Sequence, residues 1–77
     1  MSYAQSKPYE KERKQLGKTI KVAREKKKLT QEDLADNAQI NVSYLAKIEN
    51  GYVNTTIRYL IKISRGLGVK AGQLLEF

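Results

Sequence analysis

The stretch LTQEDLADNAQINVSYLAKIENG, from Leu29 to Gly51, carries two helix-start signals only about ten residues apart. Thr30 is a favourable N-cap, because its hydroxyl can accept from the free N–H groups of the next turn. Asp33, three residues later, completes a T-x-x-D capping box. A helix therefore starts at Gln31, with Leu34, Ala35 and Ala38 at helical spacing on one face. Asn41 caps a second helix, in which Tyr44, Leu45 and Ile48 form the next apolar stripe and which Asn50-Gly51 ends. Only Gln39 and Ile40 stand between the two, which leaves room for nothing but a sharp corner.

Two capped helices at such a corner make a helix-turn-helix, whose second helix can lie in a DNA major groove with its N-terminal residues against base edges. LTQEDLA, the apolar Ile40, SYLAKIENG, and then LGV followed by QLL occur in that order. Over about Leu16 to Leu75 the chain resembles the Cro and lambda-repressor (XRE-type) class of helix-turn-helix domains. The resemblance implies an all-α, compact five-helix domain with the helix-turn-helix at helices 2 and 3. It also implies a sequence-specific regulator of transcription that binds double-stranded DNA. Repression is the expected sign, since blocking polymerase needs only occupancy. A protein-interaction or coactivator module, or an antitoxin on the same fold, stands as the alternative.

The outer bounds agree. Seventy-seven residues make one small domain, too short for a large catalytic cleft. The chain has no Cys and no His, which removes disulfides, thiol nucleophiles, the usual zinc sites and imidazole base catalysis. No enzyme activity, cofactor or metal is expected. No apolar run approaches the roughly 18 residues needed to span a bilayer, and MSYAQSKPYEKERK lacks the apolar core of a signal peptide. A soluble, cytoplasmic, DNA-associated protein is expected.

The net charge of +7 is unevenly placed. From Met1 to Lys28, ten Lys or Arg residues face only Glu10, Glu12 and Glu25, whereas from Leu29 onward five basic residues meet five acidic ones. All the excess sits in the arm and first helix. A basic run can be simply a solvated face, but beside a helix-turn-helix it can also attract phosphates and speed encounter with a polyanion.

Residues 1–10 are expected to form a flexible basic arm, and residues 11–77 the DNA-binding domain. The arm either follows the DNA or only adds solubility. From about Tyr9 the sequence can run as one helix to Lys27, with Leu16, Ile20 and Ala23 on one face. Arg24 falls on the inner side of this pattern, where a charge is costly unless paired. The resemblance supplies its partner, Glu49, as a buried structural ion pair tying helix 1 to the recognition helix. In the family glycine usually stands where Lys28 and Gln39 stand here. A residue with a Cβ at the positive φ of such a turn is strained by roughly 1 kcal/mol or more.

With Asn41 as cap, Val42, Ser43 and Lys47 should face the groove. Lys47 can donate to guanine O6 and N7, Ser43 can hydrogen-bond to several bases, and Val42 can pack on a thymine methyl. The resemblance places base contacts at the same positions, and Asn41, Val42, Ser43 and Lys47 form the expected base-contacting set. None is a bidentate Gln or Arg, so DNA shape is expected to supply part of the selectivity. Phosphate contacts are expected from Gln31, Tyr44, Asn50 and Tyr52. Gln31 matches a family glutamine that holds a phosphate and braces the recognition helix, beside free N–H groups that favour an anion. Asn50 serves as backbone grip, as C-cap, or as both. Tyr44, at helical spacing with Ile48, equally suits a half-buried core position.

After Gly51, Thr55 or Thr56 caps a fourth helix, with Ile57, Leu60, Ile61 and Ser64 expected inward and Leu67 closing it. A last short helix contains Leu74 and Leu75, with Lys70 where the usual N-cap stands and Gly72 weakening its interior. Leu74, Leu75 and Phe77 either return to the domain's own core or, as the family implies, form a dimer interface. A homodimer would present two recognition helices to an inverted-repeat operator with half-sites about one turn, roughly 34 Å, apart.

Overall fold

Residues 9–76 are described by a computed structural model of the chain. Among these residues four α-helices follow one another: α1 (Glu10–Lys26), α2 (Gln31–Ala38), α3 (Val42–Glu49) and α4 (Ile57–Leu67). A 3-10 helix (Ala71–Leu75) closes the domain where a fifth α-helix was expected. Its start has no side-chain cap on a free N–H. Instead the Lys70 N–H donates to the Gln73 side chain at 2.9 Å. The glycine at position 72 weakens any longer helix.

Three of the helix starts are fixed by short polar side chains. Thr30 Oγ1 accepts from the Asp33 N–H at 3.0 Å, and Asp33 Oδ2 accepts from the Thr30 N–H at 2.9 Å. The Thr30 backbone N–H, and then its side chain, hold the exposed Asp33 carboxyl below its ordinary pKa. Asn41 Oδ1 accepts from the Tyr44 N–H at 3.1 Å, and Thr56, not Thr55, caps α4 through the Tyr59 N–H at 3.3 Å.

The helix ends share one device. After each α-helix a residue turns into the left-handed region: Lys28 (φ 57), Gln39 (φ 57), Gly51 (φ 73) and Gly68 (φ 72). The next N–H then reaches back five residues, as from Leu29 to Arg24 O, Ile40 to Ala35 O, Tyr52 to Lys47 O and Val69 to Ser64 O. This is the Schellman closure, which satisfies carbonyls that the helix leaves unpaired. Two of the four ends adopt it without glycine and hold a Cβ in a conformation that L-residues disfavour.

The core joins Leu16 and Ile20 of α1, Leu34 and Ala35 of α2, Leu45 and Ile48 of α3, Leu60, Ile63 and Leu67 of α4, and Leu74 of the 3-10 helix. α4 packs mainly on α2, and α1 on α3. The buried stripe of α4 is Leu60, Ile63, Ser64 and Leu67. Ile57 and Ile61, expected inward, lie outside at 70% and 37% exposure. Ile61 lies about 100° from Leu60, on the helix flank, while Ile63 takes the inner place; Ile57 shares the phase of the buried Ser64 but is the first residue of α4, beyond the end of the core. The buried Ser64 hydroxyl donates to Ile61 O at 2.8 Å, the local solution that a serine on this face requires.

Leu74 is 1% exposed and belongs to this core, the first of the two places open to it, and not to the dimer surface that the resemblance implied. The tighter 3-10 turn sends Leu74 inward and leaves its neighbour Leu75 outside at 47% exposure. Phe77 and the first eight residues of the expected arm fall outside the described residues. No helix among the described residues is long and apolar enough to cross a membrane.

Candidate nucleic-acid interface

α3 presents two faces of opposite character. Leu45, Ile48 and Glu49 are buried, while Val42, Ser43 and Lys47 lie exposed on the other side, immediately after the cap Asn41. That exposed edge has an apolar group, a hydroxyl and a cation, which is the side-chain chemistry able to meet a thymine methyl, a base edge and a guanine. Asn41 accepts the cap bond with one lone pair of its side-chain oxygen, which leaves the other and its amide N–H groups for a base.

The far end of α3 is held by a buried polar network. Arg24 is 8% exposed and Glu49 7% exposed. The Arg24 guanidinium donates through Nε to Glu49 Oε2 at 2.8 Å and through Nη2 to Glu49 Oε1 at 3.1 Å. Its Nη1 donates to Leu29 O at 2.8 Å, in the link between α1 and α2. Gln31 Nε2 adds a further bond to Glu49 Oε1 at 2.9 Å. One carboxylate thereby joins α1, α2 and α3, and the hydrogen bonds it accepts raise the Arg24 pKa against the opposing effect of burial. The forked geometry explains why arginine stands here, since a lysine offers no planar pair of donors.

Gln31 occupies the first position of α2, half-buried. One N–H of its amide goes to Glu49, which leaves the other, with the free N–H groups of the helix start, for an anion. The other expected phosphate residues differ in setting. Asn50 is exposed and closes α3, its N–H bonded to Ala46 O at 3.0 Å. Tyr52 is 73% exposed. Tyr44 is half-buried, with its ring tilted against Tyr59 at a centroid separation of 4.6 Å. It is thus part of the α3–α4 contact, and Lys62 completes the cluster, 5.9 Å from the Tyr59 ring and 3.5 Å from the Gln39 carbonyl.

Two residues that the sequence did not single out complete the site. A Cβ on Gly17 would stand 2.3 Å from the Glu49 carbonyl oxygen and 2.5 Å from that of Ile48. Glycine is what lets α1 touch the backbone of α3. Arg13, one turn earlier on α1, donates from Nε to Gly51 O at 3.1 Å. Both lie on the inner face of α1 with Leu16, Ile20 and Arg24, and an interior helical glycine in that phase was the available signal.

A family model described as helix-turn-helix matches residues 20–74. The chain is 35% identical over 60 residues to an immunity repressor protein of Bacillus phage phi105, a match spanning 78% of this chain and 42% of that protein. It is 39% identical over 59 residues to the control protein C.MunI of Mycoplasma sp, spanning 77% of this chain and 80% of that protein. Among solved structures, the restriction-modification controller protein C.AhdI from Aeromonas hydrophila superimposes with a TM-score of 0.79 at 26% identity, covering 80% of this chain and 94% of that one. The chain spans less than half the length of the phage repressor it matches.

Proposed function

Because the chain belongs to the helix-turn-helix family of DNA-binding transcription regulators, we propose that it is a repressor that reads operator DNA with the exposed edge of α3. The carrying observation is the arrangement of that helix: Val42, Ser43 and Lys47 exposed at one end, and Glu49 locked to Arg24 and Gln31 at the other. Asn41, Val42, Ser43 and Lys47 contact bases; Gln31, Asn50 and Tyr52 grip phosphates on either side, and Tyr44 contributes its hydroxyl from beside Tyr59. The relatives point the same way, one being a phage immunity repressor and the others control proteins.

A single α3 spans too few base pairs to select an operator, so the acting species is a homodimer on an inverted repeat. Leu75, exposed at the C-terminal end, and the exposed Ile57 and Ile61 of α4 are among the apolar side chains available to a second copy. A monomeric mass at micromolar concentration, with and without operator, would remove the dimer.

The deciding experiment is selection of bound duplexes from a random DNA library at low and at physiological salt, followed by sequencing. An enriched inverted repeat, changed or lost in Lys47→Ala, is the expected result. Uniform, strongly salt-dependent retention with no motif would overturn base reading and favour an interaction module on the same fold.

A further inference from the structure

The helix-turn-helix half of the chain is electrically balanced, yet the protein carries +7, all of it before Leu29. Where that excess lies on the fold is therefore a separate question from how α3 reads bases. On α1 the inner face is Leu16, Gly17, Ile20 and Arg24, and the outer flank carries Lys11, Lys14 and Lys18, all exposed. These three lysines, with Glu10 and Gln15, line one shallow open depression. Their span along the helix is about 10 Å, at ~1.5 Å per residue. Among the described residues, Glu10 is the one carboxylate on this depression; it makes an exposed i,i+4 pair with Lys14 at 3.3 Å, an interaction weak enough to yield to a phosphate.

This flank is placed by packing, not merely by charge. A Cβ on Gly51 would stand 2.7 Å from Lys14 Cγ and 3.0 Å from its Cα. Arg13 bonds the Gly51 carbonyl from the same turn of α1. The middle of the lysine flank, Lys14, thus lies against Gly51, just past the C-terminal end of α3 and between Asn50 and Tyr52 in the chain.

We propose that Lys11, Lys14 and Lys18 form a second DNA-backbone surface, which continues the phosphate track of Asn50 and Tyr52 onto duplex outside the half-site. The inference rests on the DNA-binding reading above. It assigns most of the salt-dependent attraction to α1 and leaves base discrimination to α3.

The test compares wild type with the triple variant Lys11→Gln, Lys14→Gln, Lys18→Gln. A second variant, Lys27→Gln, Arg65→Gln, Lys70→Gln, removes the same charge around the opposite end of the domain, where Lys27 approaches Gly68. Binding is measured across a salt series on a mixed-sequence duplex. It is repeated on the selected site, trimmed and with one further helical turn, about 10 base pairs, on each side.

The flank variant should melt like wild type and lose about 2 to 3 units of the slope of log K against log salt, near 0.9 per phosphate contact. The loss should appear on the mixed-sequence and extended duplexes and shrink on the trimmed one, with the preferred sequence unchanged. An unchanged slope, or an equal loss in the second variant, overturns the proposal. If no site is enriched, the base-reading function fails, while the mixed-sequence series still decides whether this flank holds DNA.

Discussion

The two ends of α3 are built by different means. Its N-terminal end is fixed locally, by the Asn41 cap and by the left-handed Gln39 two residues earlier, and its side chains face solvent. Its C-terminal end is fixed by distant residues: Arg24 and Gln31 on Glu49, Arg13 on Gly51, and Gly17 against the backbone. The difference separates aim from content. The anchored end sets where the helix lies, and the free end can change its side chains without disturbing the core.

The strongest way to break that contrast is at the anchor. Glu49→Ala strands the Arg24 guanidinium in a buried place and should destabilise the domain by roughly 3 to 5 kcal/mol in chemical denaturation. Near-wild-type stability would show that the anchor carries little. Gly17→Ala comes next, since its methyl would overlap the Ile48 and Glu49 carbonyls and force α1 off α3. A loss of about 3 kcal/mol is expected, the upper range for overpacking, read as a lower melting temperature.

At the free end the signs and sizes change. Gln39→Gly relieves a left-handed residue and should stabilise by about 1 kcal/mol. A fall in melting temperature would mean that the Gln39 side chain supports the turn in a way its backbone geometry does not suggest. Ser43→Ala and Lys47→Ala should leave stability within about 0.5 kcal/mol, as exposed substitutions do, while altering the sequences retained from a DNA library. If either destabilised the fold as much as Glu49→Ala, the division between the two ends would fail.

What the sequence revealed follows from the range of each interaction. The caps at Thr30 and Asn41 were legible because a cap is local chemistry within four residues. The need of Arg24 for an acid was legible as well, because a charge on an apolar stripe demands one, although its partner came from resemblance. The facing of α4 was not: Ile57, Leu60, Ile61, Ile63 and Leu67 offer more apolar positions than one face can bury, so periodicity alone left the phase open. The short C-terminal helix likewise reads as α or 3-10 until packing chooses. Gly17 and Arg13 matter only because α3 lies against them, across 38 residues in the case of Arg13 and Gly51. Of the base-facing set, exposure and position were legible from cap and period, whereas the operator lies in the DNA.

The 25-residue separation between Arg24 and Glu49 also orders events in time. A chain synthesised at about 5 to 20 residues per second adds Arg24 roughly one to five seconds before it adds Glu49. Until Glu49 follows, Arg24 has no carboxylate to pair with, so the packing of α1 on α3 is complete only with the third helix in place. The helix proposed to read DNA is therefore also the one that supplies the carboxylate on which α1 closes.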